Sequence, residues 1–120
     1  MIERDLKKRT KRFALDIIRF IEAVPKDDTS RILARQLLRA GTSVGANYRS
    51  ACRAKSNADV VNKMGTVEEE TDESGYWLEL LGEAGKVVDD KVSPLLREAN
   101  ELVAIAVASI NTARNSGGRS

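Results

Sequence analysis

Apolar residues recur at helical spacing in four long runs, and this periodicity leaves little room for any fold but an all-α one. The runs are separated by short polar breaks. Only two prolines occur; Pro25 follows the first run and Pro94 opens the last, where a helix tolerates them. No alternating strand pattern with hairpin turn signals is present, nor an internal repeat or a low-complexity tract. The sequence predicts a first helix from about Asp5 to Val24, with Leu6, Phe13, Ile17, Phe20, Ile21 and Val24 on its core side. A second helix is expected from about Ser30 to Lys55, capped by Asp28 or Thr29. Its core face is Leu33, Leu37, Ala40, Val44, Tyr48 and Ala51. Gly41 and Gly45 inside it disfavour helix by about 1 kcal/mol each relative to Ala, and their spacing suits either a close helix contact or a kink.

A third helix is expected over about 58–85, capped by Asn57, its seam formed by Val60, Met64, Val67, Thr71, Ser74, Leu78 and Leu81 at alternating spacings of four and three. Ser93 is the expected cap of a fourth helix with Pro94 in its first turn. Leu95, Leu96, Ala99, Leu102, Val103, Ala106, Ile110 and Ala113 line that helix. Four amphipathic helices joined by short connections predict an antiparallel up-down four-helix bundle over residues 1–114, followed by a flexible tail at 115–120. A chain of 120 residues is one domain, long enough for a core without staples.

Composition narrows the chemistry. There is no His, which removes His-based triads and most zinc sites. The single Cys52 cannot form an internal disulfide and fits a reducing compartment; with no His partner it reads as packing. No apolar run approaches a membrane span and no signal segment follows the basic N-terminus, so no membrane partner and a cytoplasmic location are expected. No cofactor is expected either. Gly41 and Gly45 lack the Lys-Ser/Thr of a phosphate loop.

The net charge of +2 conceals a segregation. Residues 1–55 hold 14 Lys/Arg against 6 Asp/Glu, whereas residues 56–120 hold 6 against 12. On the first helix Arg4, Lys8, Lys11, Arg12 and Arg19 fall within about 100° of one another, flanked by Lys7 and Arg9. Dense exposed positive charge is what a phosphate backbone requires, and counterion release supplies most of such binding. On the second helix Arg31, Arg35, Arg39, Arg49 and Arg53 share one face opposite the core. Guanidinium forks bind phosphate or carboxylate bidentately. That ladder therefore either grips a polyanion or meets Glu68, Glu69, Glu70, Asp72 and Glu73 of the third helix. Both readings stand at this point.

Two other features carry less. Glu69 and Asp72 supply one carboxylate pair of the kind helical nucleotide pyrophosphohydrolases use for Mg²⁺, but no matching pair occurs on the second helix. A solvated acidic face is the better account, and no catalytic or metal-binding residue is assigned. Leu15, Ile18, Tyr76 and Leu80 lie off the core faces, which points to a subunit interface. Tyr48, Tyr76 and Trp77 read as packing residues rather than stacking platforms.

The stretch Arg39-Ala40-Gly41-Thr42-Ser43-Val44-Gly45-Ala46-Asn47-Tyr48-Arg49-Ser50-Ala51-Cys52-Arg53-Ala54, with Lys63-Met64-Gly65, Glu69-Glu70-Thr71-Asp72-Glu73 and Tyr76-Trp77-Leu78-Glu79-Leu80-Leu81, resembles a bacterial four-helix-bundle family. These are the proteins encoded within intervening sequences of large-subunit ribosomal RNA genes. The resemblance covers roughly residues 10–112. It implies an up-down bundle and a homo-oligomer, a homopentamer in several relatives. A related protein is the accessory factor of diversity-generating retroelements, in which a basic pentamer binds nucleic acid and a reverse transcriptase. Many relatives carry Asn-Ile-Ala-Glu-Gly where this chain has Asn47-Tyr48-Arg49-Ser50-Ala51. Loss of that Glu-Gly helix end favours a continuous second helix. The expected function is non-enzymatic binding of nucleic acid, RNA rather than DNA, through the two Arg/Lys faces. The alternative is a protein scaffold whose basic and acidic faces pair between subunits or with a partner.

Overall fold

The computed structural model describes residues 2–118, with side chains described for residues 6–116. It consists of α1 (Ile2–Glu22), α2 (Asp28–Cys52), α3 (Asn57–Glu83) and α4 (Asp89–Gly118), and no strand occurs among the described residues. Helices adjacent in sequence pack most closely, α3 against α4 above all; α1 touches α4 only lightly. Phe13, Ile17, Leu37, Val44, Leu78 and Leu81 form the driest part of the core.

The helix starts differ from expectation, each for a local reason. Asp27, one residue before the expected cap, takes extended backbone and accepts from the Ser30 amide at 3.0 Å and the Ser30 hydroxyl at 2.8 Å. This pairing carries Ser30 into the interior with its hydroxyl satisfied. Ser56, not Asn57, caps α3, accepting from the Asp59 amide at 3.1 Å, so Asn57 becomes helical. Ser93 is no cap. The fourth helix begins five residues earlier, because Val87 and Val92 are buried and extend the apolar stripe upstream. The Ser93 hydroxyl hydrogen-bonds with Asp89 Oδ2 at 3.2 Å. Pro94 therefore sits in the second turn, where it cannot donate to the exposed Asp90. At the other end α4 runs through Asn115 and Ser116 to Gly118, so the expected boundary at 114 lies within the helix.

The α3 end is closed by Gly85, whose φ of 74° suits glycine. Its amide donates to the Gly82 carbonyl and the Lys86 amide to Leu81, both at 3.0 Å, the paired bonds of a Schellman stop.

Gly41 and Gly45 do not kink α2, which is uninterrupted; they bring α1 close. A Cβ on Gly41 would stand 3.0 Å from Ile17, and one on Gly45 would stand 3.3 Å from the Thr10 hydroxyl. Thr10 is buried there and donates to the Leu6 carbonyl at 2.7 Å, which spares it an unpaired hydroxyl. Thr71 and Ser74 are tolerated in the α3 seam for the same reason, donating to Val67 and Glu70 carbonyls at 2.6 and 2.8 Å. Of the expected core residues, Ile21, Leu33, Val60, Leu96 and Val103 are only partly buried.

Two outcomes test these contacts. Gly41→Leu lowers stability by about 1–3 kcal/mol through overpacking, whereas Gly65→Ala, where an added Cβ meets nothing within 4 Å, raises it by about 0.5–1 kcal/mol. Urea unfolding of the two variants gives both signs. The second outcome concerns pH. The Ser30 amide and hydroxyl, then Lys86, hold the Asp27 carboxyl down at about 2. A depressed carboxyl stabilises fully above its unfolded value, near 3.8, and that contribution is lost as pH falls toward the folded value. Asp27→Asn keeps a capping oxygen but cannot titrate. The Tm advantage of the native chain over this variant therefore shrinks as pH falls from about 4 to about 2; a constant difference would refute the assignment.

Candidate nucleic-acid interface

On α1, Lys8, Lys11, Arg12 and Arg19 are exposed as the periodicity predicts, and Lys7 joins them. The Arg4 side chain lies outside the described residues. Arg9 behaves differently. Its fork spans to α4, with Nη2 2.6 Å and Nε 3.1 Å from Glu98 and Nη2 3.1 Å from Glu101. The two carboxylates, Glu98 foremost, raise its pKa. Arg9 is thereby committed to tying α1 to α4. Arg19 reaches only the neighbouring Asp16, at 3.2 Å.

The α2 ladder divides. Arg39 turns to α3, pairing with Glu70 at 3.2 Å and, in a short contact, with Glu73. Glu73 also accepts from the Trp77 indole at 3.1 Å. The indole first and the guanidinium second lower the Glu73 pKa, and the same contact raises that of Arg39. At this rung the ladder meets carboxylates. Arg31, Arg35 and Lys26 line a recess of about 230 Å³ near the α1–α2 turn, floored by Ile21, Val24 and Leu38. Arg53 is exposed at the α2 C-cap.

Arg49 has another setting. With Lys7, Lys8 and Lys11 it borders a groove of about 520 Å³ between α1 and α2, and among the described residues no carboxylate lines it. Its floor is Gly45, Ala46 and Ala14, so the small residues that let the helices approach also keep the groove open. Lys8 also borders a second recess, between α1 and α4, together with Arg12, Phe13, Pro94 and the Arg9–Glu98 pair. The sequence reading treated Lys7 as a flanking residue. Its position on the wheel beside Ala14 was the available signal, but which helix lay on that side was unknown.

The other candidates take plain roles. Glu69 and Asp72 are exposed, and among the described residues no three potential ligands converge to hold a metal ion. Cys52 is half-buried against the core and Tyr48 is buried. Leu15 and Ile18 are 42% exposed and Tyr76 53%, as their wheel positions require, while Leu80 is half-buried. No helix among the described residues is long and apolar enough to cross a membrane.

These features define a class: a four-helix protein with a basic side on its first two helices and a cation-bordered groove between them. The 23S rRNA-intervening sequence protein family matches residues 3–108, and the chain belongs to that family. It is also similar to the crystal structure of a protein with unknown function from the S23 ribosomal protein family of Bacteroides thetaiotaomicron VPI-5482. The two are 29% identical with a TM-score of 0.85, the match covering 92% of this chain and 99% of that one. No curated protein matches the chain.

Trp77, the single tryptophan, reports on the Arg39 bridge. Arg39→Ala shifts the Trp77 emission and slightly lowers the urea midpoint, as loss of an exposed pair should. Arg53→Ala leaves the emission unchanged.

Proposed function

We propose that this protein is a non-enzymatic, homo-oligomeric RNA-binding protein that contacts phosphates through Lys and Arg residues of α1 and α2. The observation that carries the reading is the convergence of Lys7, Lys8, Lys11 and Arg49 on one groove that no carboxylate lines among the described residues. Like charges gathered this way repel unless an anion joins them. Lys8 and Arg12 extend the positive surface toward α4, and Arg31, Arg35 and Arg53 extend it along α2. The family's link to 23S rRNA intervening sequences favours RNA over DNA.

The helices are proposed to run alternately up and down. Thr10 lies opposite Gly45 while Ile17 lies opposite Gly41, and Gly75 meets Leu96 and Ala99 while Gly82 meets Val92. Both pairings step in opposite directions along the two helices concerned. Exposed Leu15, Ile18 and Leu38 support a subunit interface, for which the resemblance suggests a pentamer, in the cytoplasm.

A second reading is a scaffold in which the basic side of one subunit meets the acidic side of another. The Arg9–Glu98 and Arg39–Glu70 pairs favour it, since basic helices already clasp acidic ones within the chain. It expects high salt to dissociate the oligomer, measured by light scattering.

For the leading reading, anisotropy of a labelled structured RNA falls steeply between about 50 and 200 mM salt. Reversing charge at Lys8, Lys11 and Arg12 weakens binding and flattens the salt dependence. Unchanged affinity in a folded triple variant rejects it.

A further inference from the structure

We infer that the α1–α2 groove is the seat of the RNA phosphodiester backbone, and that it reads charge alone, without preference for base sequence. The inference rests on the RNA-binding reading above and adds which surface is used and what it recognises.

Three observations carry it. The first is the donor set. Thr10 and Thr42 in the groove already give their hydroxyl protons to the Leu6 and Leu38 carbonyls, each at 2.7 Å. Among the described residues the side-chain donors left along the groove are thus the three ammonium groups and the Arg49 fork. Ammonium and guanidinium groups suit phosphate oxygens. Lys7 and Lys11 stand one helical turn apart, about 6 Å along α1, so the cations form a short row rather than a point.

The second observation is the placement of the aromatic residues. The chain has five. Phe13, Phe20 and Tyr48 are buried, and Tyr76 and Trp77 lie on α3 against each other, ring centroids 5.1 Å apart. None borders the groove. Bases recognised singly are stacked mainly on aromatic rings or Arg planes and read by hydrogen bonds at their edges; the groove lining has no aromatic ring and no amide side chain, and its one Arg is accompanied by three lysines that suit phosphate.

The third is the contrast with the other cations. Arg9 and Arg39 are held by carboxylates. Arg31 and Arg35, with Lys26 of the connecting turn, border a smaller recess of about 230 Å³ at the opposite end of the helix pair. The groove at Arg49 is larger, about 520 Å³, and gathers four cations drawn from both helices, with no lining acid among the described residues.

The test places a negative charge in the groove without disturbing the core. Ala46 is exposed on α2 and lines the groove; Ala104 is exposed on α4. Ala46→Glu and Ala104→Glu add the same charge at two places, and both residues suit a helix. Affinity is measured by anisotropy with two labelled hairpin RNAs of equal length and unrelated sequence. Four phosphate contacts give a salt slope of about −2.8 to −3.6, a roughly 50- to 150-fold loss between 50 and 200 mM. Ala46→Glu is expected to weaken binding at least tenfold and Ala104→Glu less than threefold. Arg49→Gln should reduce the slope by about 1, and Arg31→Gln with Arg35→Gln together should reduce it by less. The two RNAs should bind within threefold of each other. Equal losses from the two Glu variants overturn the seat while leaving RNA binding intact, as does a slope set by Arg31 and Arg35. A tenfold preference between the RNAs overturns charge-only reading. If the unaltered protein binds neither RNA, the inference and the functional reading fall together.

Discussion

The close approach of α1 to α2 is the contact on which the rest depends. Two glycines one turn apart on α2 leave space that Ile17 and Thr10 of α1 fill. A side chain at either position would crowd Ile17 or Thr10 and require them to shift, and interiors packed at crystal-like density leave little slack for it. The helical cost of two interior glycines is thus offset by the packing they permit. The same contact lays Lys7 and Lys11 alongside Arg49 and floors the groove with small residues. One steric fact shapes both the core and the candidate surface.

Charge is then sorted by geometry. The basic first half and acidic second half meet along two lines. Arg9 crosses to Glu98 and Glu101 on α4, and Arg39 crosses to Glu70 and Glu73 on α3. Each is a forked guanidinium on paired carboxylates one turn apart, the arrangement in which Arg outperforms Lys. These ties are partly exposed, so they fix which helix lies beside which more than they add stability. The cations they leave over gather on the α1–α2 side. Net charge is a poor guide to such a protein; segregation is the informative quantity.

Much of the bundle was legible in the residue pattern because the core obeys one period. The α3 seam was read through Thr71 and Ser74, polar residues that helical spacing placed inside, and both are buried with hydroxyls turned to their own helix. The family resemblance, carried by the motifs of the second and third helices, agrees with the match over residues 3–108. Helix starts were less legible. Asp27, Asp28 and Thr29 can all cap a helix, and Ser30 chooses among them by burying its hydroxyl against Asp27. The start of α4 was obscured because Ser93-Pro94 imitates a helix opening, while Val87 and Val92 pull the helix upstream.

The basic surface shows the division most clearly. The sequence by itself determined that α1 and α2 carry exposed cations, since a wheel position fixes which side of a helix faces away from the core. It also determined four helices and their apolar faces. Only the tertiary structure decided which cations act together. Arg39 and Arg49 share a face of one helix, yet Arg39 meets carboxylates and Arg49 meets lysines. A side chain's neighbours across an interface depend on which helix lies beside it and how closely. Periodicity within one helix carries no information about that.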